Sequence, residues 1–146
     1  MTEILQLTPK LVVADGAAAL AFYTAALGAV VEESYTMDGR IVHATLTVGS
    51  LRFELKDAGD GDPAPTPGQH PPVLMSLEVS DADAVTERLL AAGATVVYPV
   101  SDHEYGSRGG RVADPFGHHW MVSAALETLI PDEVQARLDG VRQGQV

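Results

Sequence analysis

Cysteine is absent from the 146 residues of this chain. Its absence excludes disulfides, thiolate metal sites and cysteine nucleophiles, and fits a reducing compartment. Basic residues are scarce: nine Lys and Arg stand against 20 Asp and Glu, a formal net charge of −11. A surface of that sign repels phosphate backbones and anionic lipids, so neither nucleic acid nor a membrane is expected as a partner. No apolar run approaches the roughly 20 residues of a spanning helix. The opening "MTEILQLTPK" has no basic region followed by a long apolar stretch, so no signal peptide is expected and a cytoplasmic location is. Also missing are a GxGxxG loop and a Ser/His/Asp order suited to nucleophilic catalysis.

What is present is a hydrophobic fraction of 46%, enough for a core, in a length that suits one domain or two small fused units. The chain also repeats itself. Leu11–Val31 resembles Leu77–Val97: Val13 and Asp15 match Val79 and Asp81 at an offset of 66, and Gly28 matches Gly93 at 65. Each copy reads as a strand, an acidic cap, a helix, a glycine and a second strand. Asp15 can accept from the first free amides of its helix, and Ser80 or Asp81 can do so in the second copy. Leu20, Tyr23 and Leu27 make one apolar stripe, and Val85, Leu89 and Ala92 the other. Gly28 and Gly93 suit the left-handed position after a helix.

Strand signals follow each helix: Ala29–Met37, Arg40–Val48 and Leu51–Lys56, then Thr95–Asp102, Gly110–Asp114 and His118–Ala124. "DG" at Asp38–Gly39 is a hairpin signal. The expected organisation is a first β-α-β-β-β module over residues 1–56, a mobile Gly/Pro-rich linker over 57–72, a second module over 73–125 and a C-terminal helical extension over 126–146. Pro131 suits a helix start, with Val134, Leu138 and Val141 on one stripe. "DPFG" (Asp114–Gly117) reads as a structural turn before the last strand.

Two such modules, with "FYTAALGA", "HATLTVGS", the long "YGSRGGRVADPFGHHW" and a terminal helix opening "PDE", resemble the vicinal oxygen chelate superfamily. This is the glyoxalase and bleomycin-resistance group, and the second-half motif resembles its PhnB-like branch. The resemblance implies an α+β fold in which the modules form a curved mixed sheet around a cavity. It also implies a homodimer, and metal ligands on the first and last strand of each module in the metal-dependent members. The repeat carries those four positions onto Thr8, Glu54, Leu74 and Met121. Only Glu54 is an ordinary ligand for a hard or borderline divalent ion, and such a site needs about three protein ligands. No metal or other cofactor is therefore expected.

Strand alternation extends the reading. If Met121 faces the cavity, so do His119 and Ser123, while His118, Trp120 and Val122 face the helices; His118, next to the turn, is expected at the rim. The two adjacent histidines then cannot chelate one ion together. In "RIVHATLTV" the set Val42, Ala44, Leu46 and Val48 takes the core face, leaving Ile41, His43, Thr45 and Thr47 on the other. An alternative metal site would combine His43, Glu54 and His119. The same parity puts Lys10, Arg52, Lys56, Ser76 and Glu78 on the concave side. Tyr98, Tyr105 and Arg108 lie on or beside a hairpin that could edge the cavity and clamp a planar ligand. Such a wall of apolar atoms and sparse polar groups suits a small organic molecule. The expected function is a metal-free binding protein that sequesters an antibiotic or other natural product. The alternatives are a metal-dependent glyoxalase-like lyase, isomerase or dioxygenase, with Glu54 as the one candidate catalytic group, and a fold kept for assembly with no small ligand.

Overall fold

A computed structural model of the chain describes residues 2–144, with side chains as far as Val141. The first module contains β1 (Lys10–Val13), α1 (Gly16–Leu27), β2 (Val30–Met37), β3 (Arg40–Val48) and β4 (Leu51–Asp57). The second contains β5 (Leu74–Glu78), α2 (Ala82–Ala92), β6 (Thr95–His103), β7 (Ser107–Ala113) and β8 (His119–Ala125). A final helix, α3, spans Pro131–Gly144. The strands form two four-stranded mixed sheets, ordered β1-β4-β3-β2 and β5-β8-β7-β6. In each, the first strand lies parallel to the last, and the remaining pairs are antiparallel.

The local chemistry follows the sequence. Asp15 Oδ1 accepts from Ala18 N and Asp81 Oδ1 from Ala84 N, both at 3.0 Å, so Asp81 rather than Ser80 caps α2. Gly28 has φ of 67° and accommodates the left-handed turn out of α1. Asp38 and Gly39 both have positive φ, at 52° and 78°, as a two-residue hairpin turn with primed geometry requires.

Three details depart from simple periodicity. Ile41 is buried, at 7% exposure, instead of lying on the face opposite the core. Between Tyr35 and Thr36 the partner strand advances two residues, from His43 to Ile41, so Val42 is the extra residue of a β-bulge. One inserted residue inverts the alternation before it. Second, α1 buries Ala19, Phe22, Tyr23, Ala26 and Leu27, while Leu20 is only partly covered. Third, β7 starts at Ser107 rather than Gly110, because its pairing with β8 continues from Ala113↔His119 to Ser107↔Ala125. In α3 the expected stripe is poorly covered, with Leu138 37% exposed. The helix is tethered instead by a fork from Arg137 to Glu127, at 2.8 and 3.0 Å.

The modules meet through their helix-facing sides. Tyr23 of α1 touches Phe53 of β4 and Trp120 of β8, with ring centroids 5.4 and 5.5 Å away. At the centre lies the buried Asp114 carboxylate. It accepts from Tyr23 Oη at 2.5 Å, Trp120 Nε1 at 2.8 Å, His118 N at 2.9 Å and Phe116 N at 3.0 Å. Four donors satisfy a charge that would otherwise be costly to bury. The "DPFG" turn is thus a turn and also the polar bolt between modules. His118 is not left at the rim: its Nε2 donates to Val12 O of β1 at 2.9 Å.

Candidate functional site

With both helix-facing sides used for the shared core, the opposite face of each sheet carries the residues expected at a site. On the first sheet, the register sets Lys10 beside Glu54 and Thr45 beside Glu54. Lys10 Nζ lies 3.0 Å from His43 Nδ1. An ammonium has donors only, so Nδ1 accepts and the ring carries its hydrogen on Nε2. That Nε2 lies 3.0 Å from Thr45 Oγ1, which reaches Glu33 Oε2 at 3.5 Å. The His43 ring also stacks on Tyr35, 6.1 Å away. Arg52 Nη2 approaches Glu54 Oε2 at 3.5 Å. Lys56 is drawn aside to Asp62 of the linker, at 2.6 Å. Thr8 precedes β1 and takes a hydrogen bond from Gln6 Nε2.

On the second sheet, Ser76 pairs with Met121 and Leu74 with His119, while Glu78 pairs with Ser123. Met121 is also the register partner of Arg111, whose Nη2 lies 3.8 Å from the Met121 sulfur. The Arg111 guanidinium sits over the Tyr98 ring at 5.4 Å. His119 is 5% exposed and its Nδ1 has no hydrogen-bond partner. Burial first, then the Arg111 charge, pushes this imidazole below its ordinary value, which favours the neutral ring. The His70 ring from the linker packs edge-on against it at 6.0 Å.

Two residues expected at the cavity have other duties. Arg108 bridges Asp83 of α2 at 2.7 Å and Asp102 at 3.0 Å, which raises its pKa and commits the fork to the surface. Tyr105 stacks flat on His103 at the β6–β7 hairpin, 5.0 Å between centroids. Sequence reasoning passed over Arg111, Glu33, Tyr35 and His70. Arg111 was within reach of it: Val112 is an apolar strand residue, so its neighbours point the other way. His70, in a proline-rich stretch, carries no periodic signal at all.

One recess measures about 520 Å³. It lies where β1 passes the start of β5 and is walled by Pro9, Val12, Met75 and His118 and by the linker from Pro63 to Pro72. A smaller void of about 160 Å³ sits at the junction, between Phe53, Leu77 and Trp120. The expected linker is therefore part of a wall, and its Pro65 closes against Gly117.

The residues do not suit a divalent ion. The paired registers Lys10↔Glu54 and Ser76↔Met121 are equivalent, which supports the assignment of Glu54 and Met121 to one repeated position. Glu54 has basic neighbours in Arg52 and Lys10. A threonine hydroxyl, a leucine and a thioether complete the set, and none is a strong donor to a hard or borderline ion. His43 and Glu54 belong to the first sheet and His119 to the second. Among the described residues, no group of three His, Asp or Glu side chains is placed to hold a metal. No helix among the described residues is long and apolar enough to cross a membrane.

Comparison with known proteins adds four findings. An uncharacterised protein of Mycobacterium bovis is 39% identical over 144 residues, covering 94% of this chain and 95% of that one. The crystal structure of TioX from Micromonospora sp. ML1 matches with a TM-score of 0.65 and 26% identity, covering 86% of this chain and 99% of that one. The PhnB protein of Bacillus cereus shares the fold, with a TM-score of 0.65 at 19% identity over 82% of this chain and 99% of that one. A family model matches residues 4–122. This chain belongs to the Glyoxalase/Bleomycin resistance protein/Dioxygenase superfamily.

Proposed function

We propose that the protein is a metal-free small-molecule-binding member of its superfamily, which sequesters an antibiotic or other natural product in the cytoplasm. One observation carries the reading. At the four positions where metal-dependent relatives place ligands, this chain offers one carboxylate with basic neighbours, a threonine, a leucine and a methionine. The surrounding face is nevertheless equipped for an organic ligand: Leu74 and Met121 supply apolar contact, and Ser76, His43 and His119 supply sparse polar groups.

The working unit in this reading is a homodimer. Because the modules share a core through their helix-facing sides, their concave faces do not close on each other within one chain. A second copy can complete each cleft. The apolar surface left uncovered supports this, since β2 is exposed along its length and Val30, Tyr35, Met37, Leu51 and Val96 are each more than half exposed. Apolar edge strands of this kind are surfaces that chains cover by pairing.

Native mass spectrometry of protein purified without added ligand tests both parts. The expected result is a dimer mass with an adduct of a few hundred daltons that dissociates on activation and weakens in Met121→Ala. A monomer without adduct, also inert to a screen of aromatic natural products, would overturn the proposal.

A further inference from the structure

We propose that the Arg111–His119 corner of the second sheet is an anion-binding subsite, so that the ligand carries a carboxylate or phosphonate-like group. This rests on the reading of the concave faces as the ligand site and specifies the ligand's chemistry there.

The first observation is an arginine without an acid. Acidic residues outnumber Lys and Arg by 20 to nine. Arg40, Arg52, Arg108 and Arg137 all bridge carboxylates. Among the described residues, Arg111 has no carboxylate within bridging distance, although it is half-buried. Its known neighbours are a thioether and a phenol ring, which hold the guanidinium plane without neutralising it.

The second observation is a pair of unpartnered nitrogens. Arg111 Nε and His119 Nδ1 are both buried with no hydrogen-bond partner. The first is always a donor, and the second is one in the tautomer that carries its hydrogen there. Buried polar groups are rarely left unpaired. The two side chains sit on one face, since Arg111 pairs with Met121 and His119 with Ala113, one diagonal step away. Long side chains on such a diagonal come within reach of each other. His119 itself is 5% exposed, so this nitrogen belongs to a built site and not to a solvated surface.

An anion that presents two acceptor oxygens matches that pair. One oxygen accepts from Arg111 Nε and the other from His119 Nδ1, the bound anion selecting the tautomer with its hydrogen there, and the rest of the ligand lies along Met121 and Tyr98. Arginine suits this role because its flat fork fixes both direction and charge. A cationic ligand would meet the guanidinium directly and is disfavoured.

Calorimetric titration of the full-length protein with four probes that share a phenyl ring tests this: benzoate, phenylphosphonate, benzamide and benzylamine. The expectation is that at least one anion binds about ten-fold or more tightly than benzamide, and that Arg111→Gln removes most of that preference. Whichever anion is preferred identifies a carboxylate or a phosphonate source. Arg111→Lys keeps the charge, loses the fork, and should fall between. Thermal unfolding of each variant confirms that it is folded, and His119→Gln provides an independent variant should Arg111→Gln fail to fold. Equal binding of anions and benzamide, or an anion preference intact in both Arg111→Gln and His119→Gln, overturns the subsite while leaving the small-molecule reading standing. Failure of all four probes to bind also overturns the subsite; the adduct seen by native mass spectrometry then decides the broader reading separately.

Discussion

Trp120 and Met121 are neighbours on β8 with opposite surroundings. Trp120 is 1% exposed, packed on Tyr23 and Phe53, and its indole N–H is bound by Asp114. Met121 is half-covered and meets Arg111 on the concave side. Trp120→Ala should therefore cost about 3–5 kcal/mol, and Met121→Ala distinctly less, about 1 kcal/mol, because the thioether leaves no closed cavity behind. Urea unfolding of the pair checks this; a larger loss in Met121→Ala would invert the assignment of faces. Tyr23 gives a pH signature. It is fully buried, and burial first, then the Asp114 charge, raises its phenol pKa well above the ordinary value. The sign is that of a raised pKa: the stabilisation is complete below the unfolded value of about 10 and is lost as pH rises beyond it. An ultraviolet titration should show one tyrosinate that forms only with alkaline unfolding, missing in Tyr23→Phe. A phenolate forming reversibly near pH 10 in all tyrosines would refute the buried Tyr23–Asp114 bond.

At the level of elements, the strands and caps were legible because they rest on short-range rules: an acidic cap, a glycine exit, a "DG" hairpin. The repeat alone assigns Glu54 and Met121 to one position, and their pairing with Lys10 and Ser76 agrees. What escaped was set by insertions and by distant partners. The Val42 bulge moves Ile41 into the core, and nothing in "RIVHATLTV" distinguishes the extra residue. Arg108 was expected near the cavity, but it is claimed by Asp83, 25 residues away in sequence on another element. The glycine pair of β7 has a definite steric cause. A Cβ on Gly109 would lie 2.3 Å from Val122 O, and one on Gly110 would lie 2.8 Å from Tyr98 O and Val100 N. The irregular β6 backbone around Pro99 presses against β7 there. Gly110→Ala should cost about 2 kcal/mol or more and loosen the Tyr98–Arg111 stack. Denaturant unfolding together with amide exchange across β6 and β7 would register both effects; an unchanged midpoint would argue against the close approach.

Across the whole molecule, two modules share one core through Tyr23, Asp114 and Trp120, and the opposite face of each sheet lies outside that core. The architecture follows from the repeat. The division of labour does not, because the sequence does not say that the helix-facing sides meet within one chain or that the proline-rich linker folds into a wall with His70 against His119. The central claim is that these faces hold an organic ligand without a resident metal. Elemental analysis of natively purified protein, after mild dialysis without chelator, tests it most directly. The expected content is less than about 0.2 equivalents of any transition metal per chain, since one carboxylate cannot replace the roughly three ligands such a site requires. Stoichiometric zinc, nickel, iron or manganese that disappears in Glu54→Ala would contradict it.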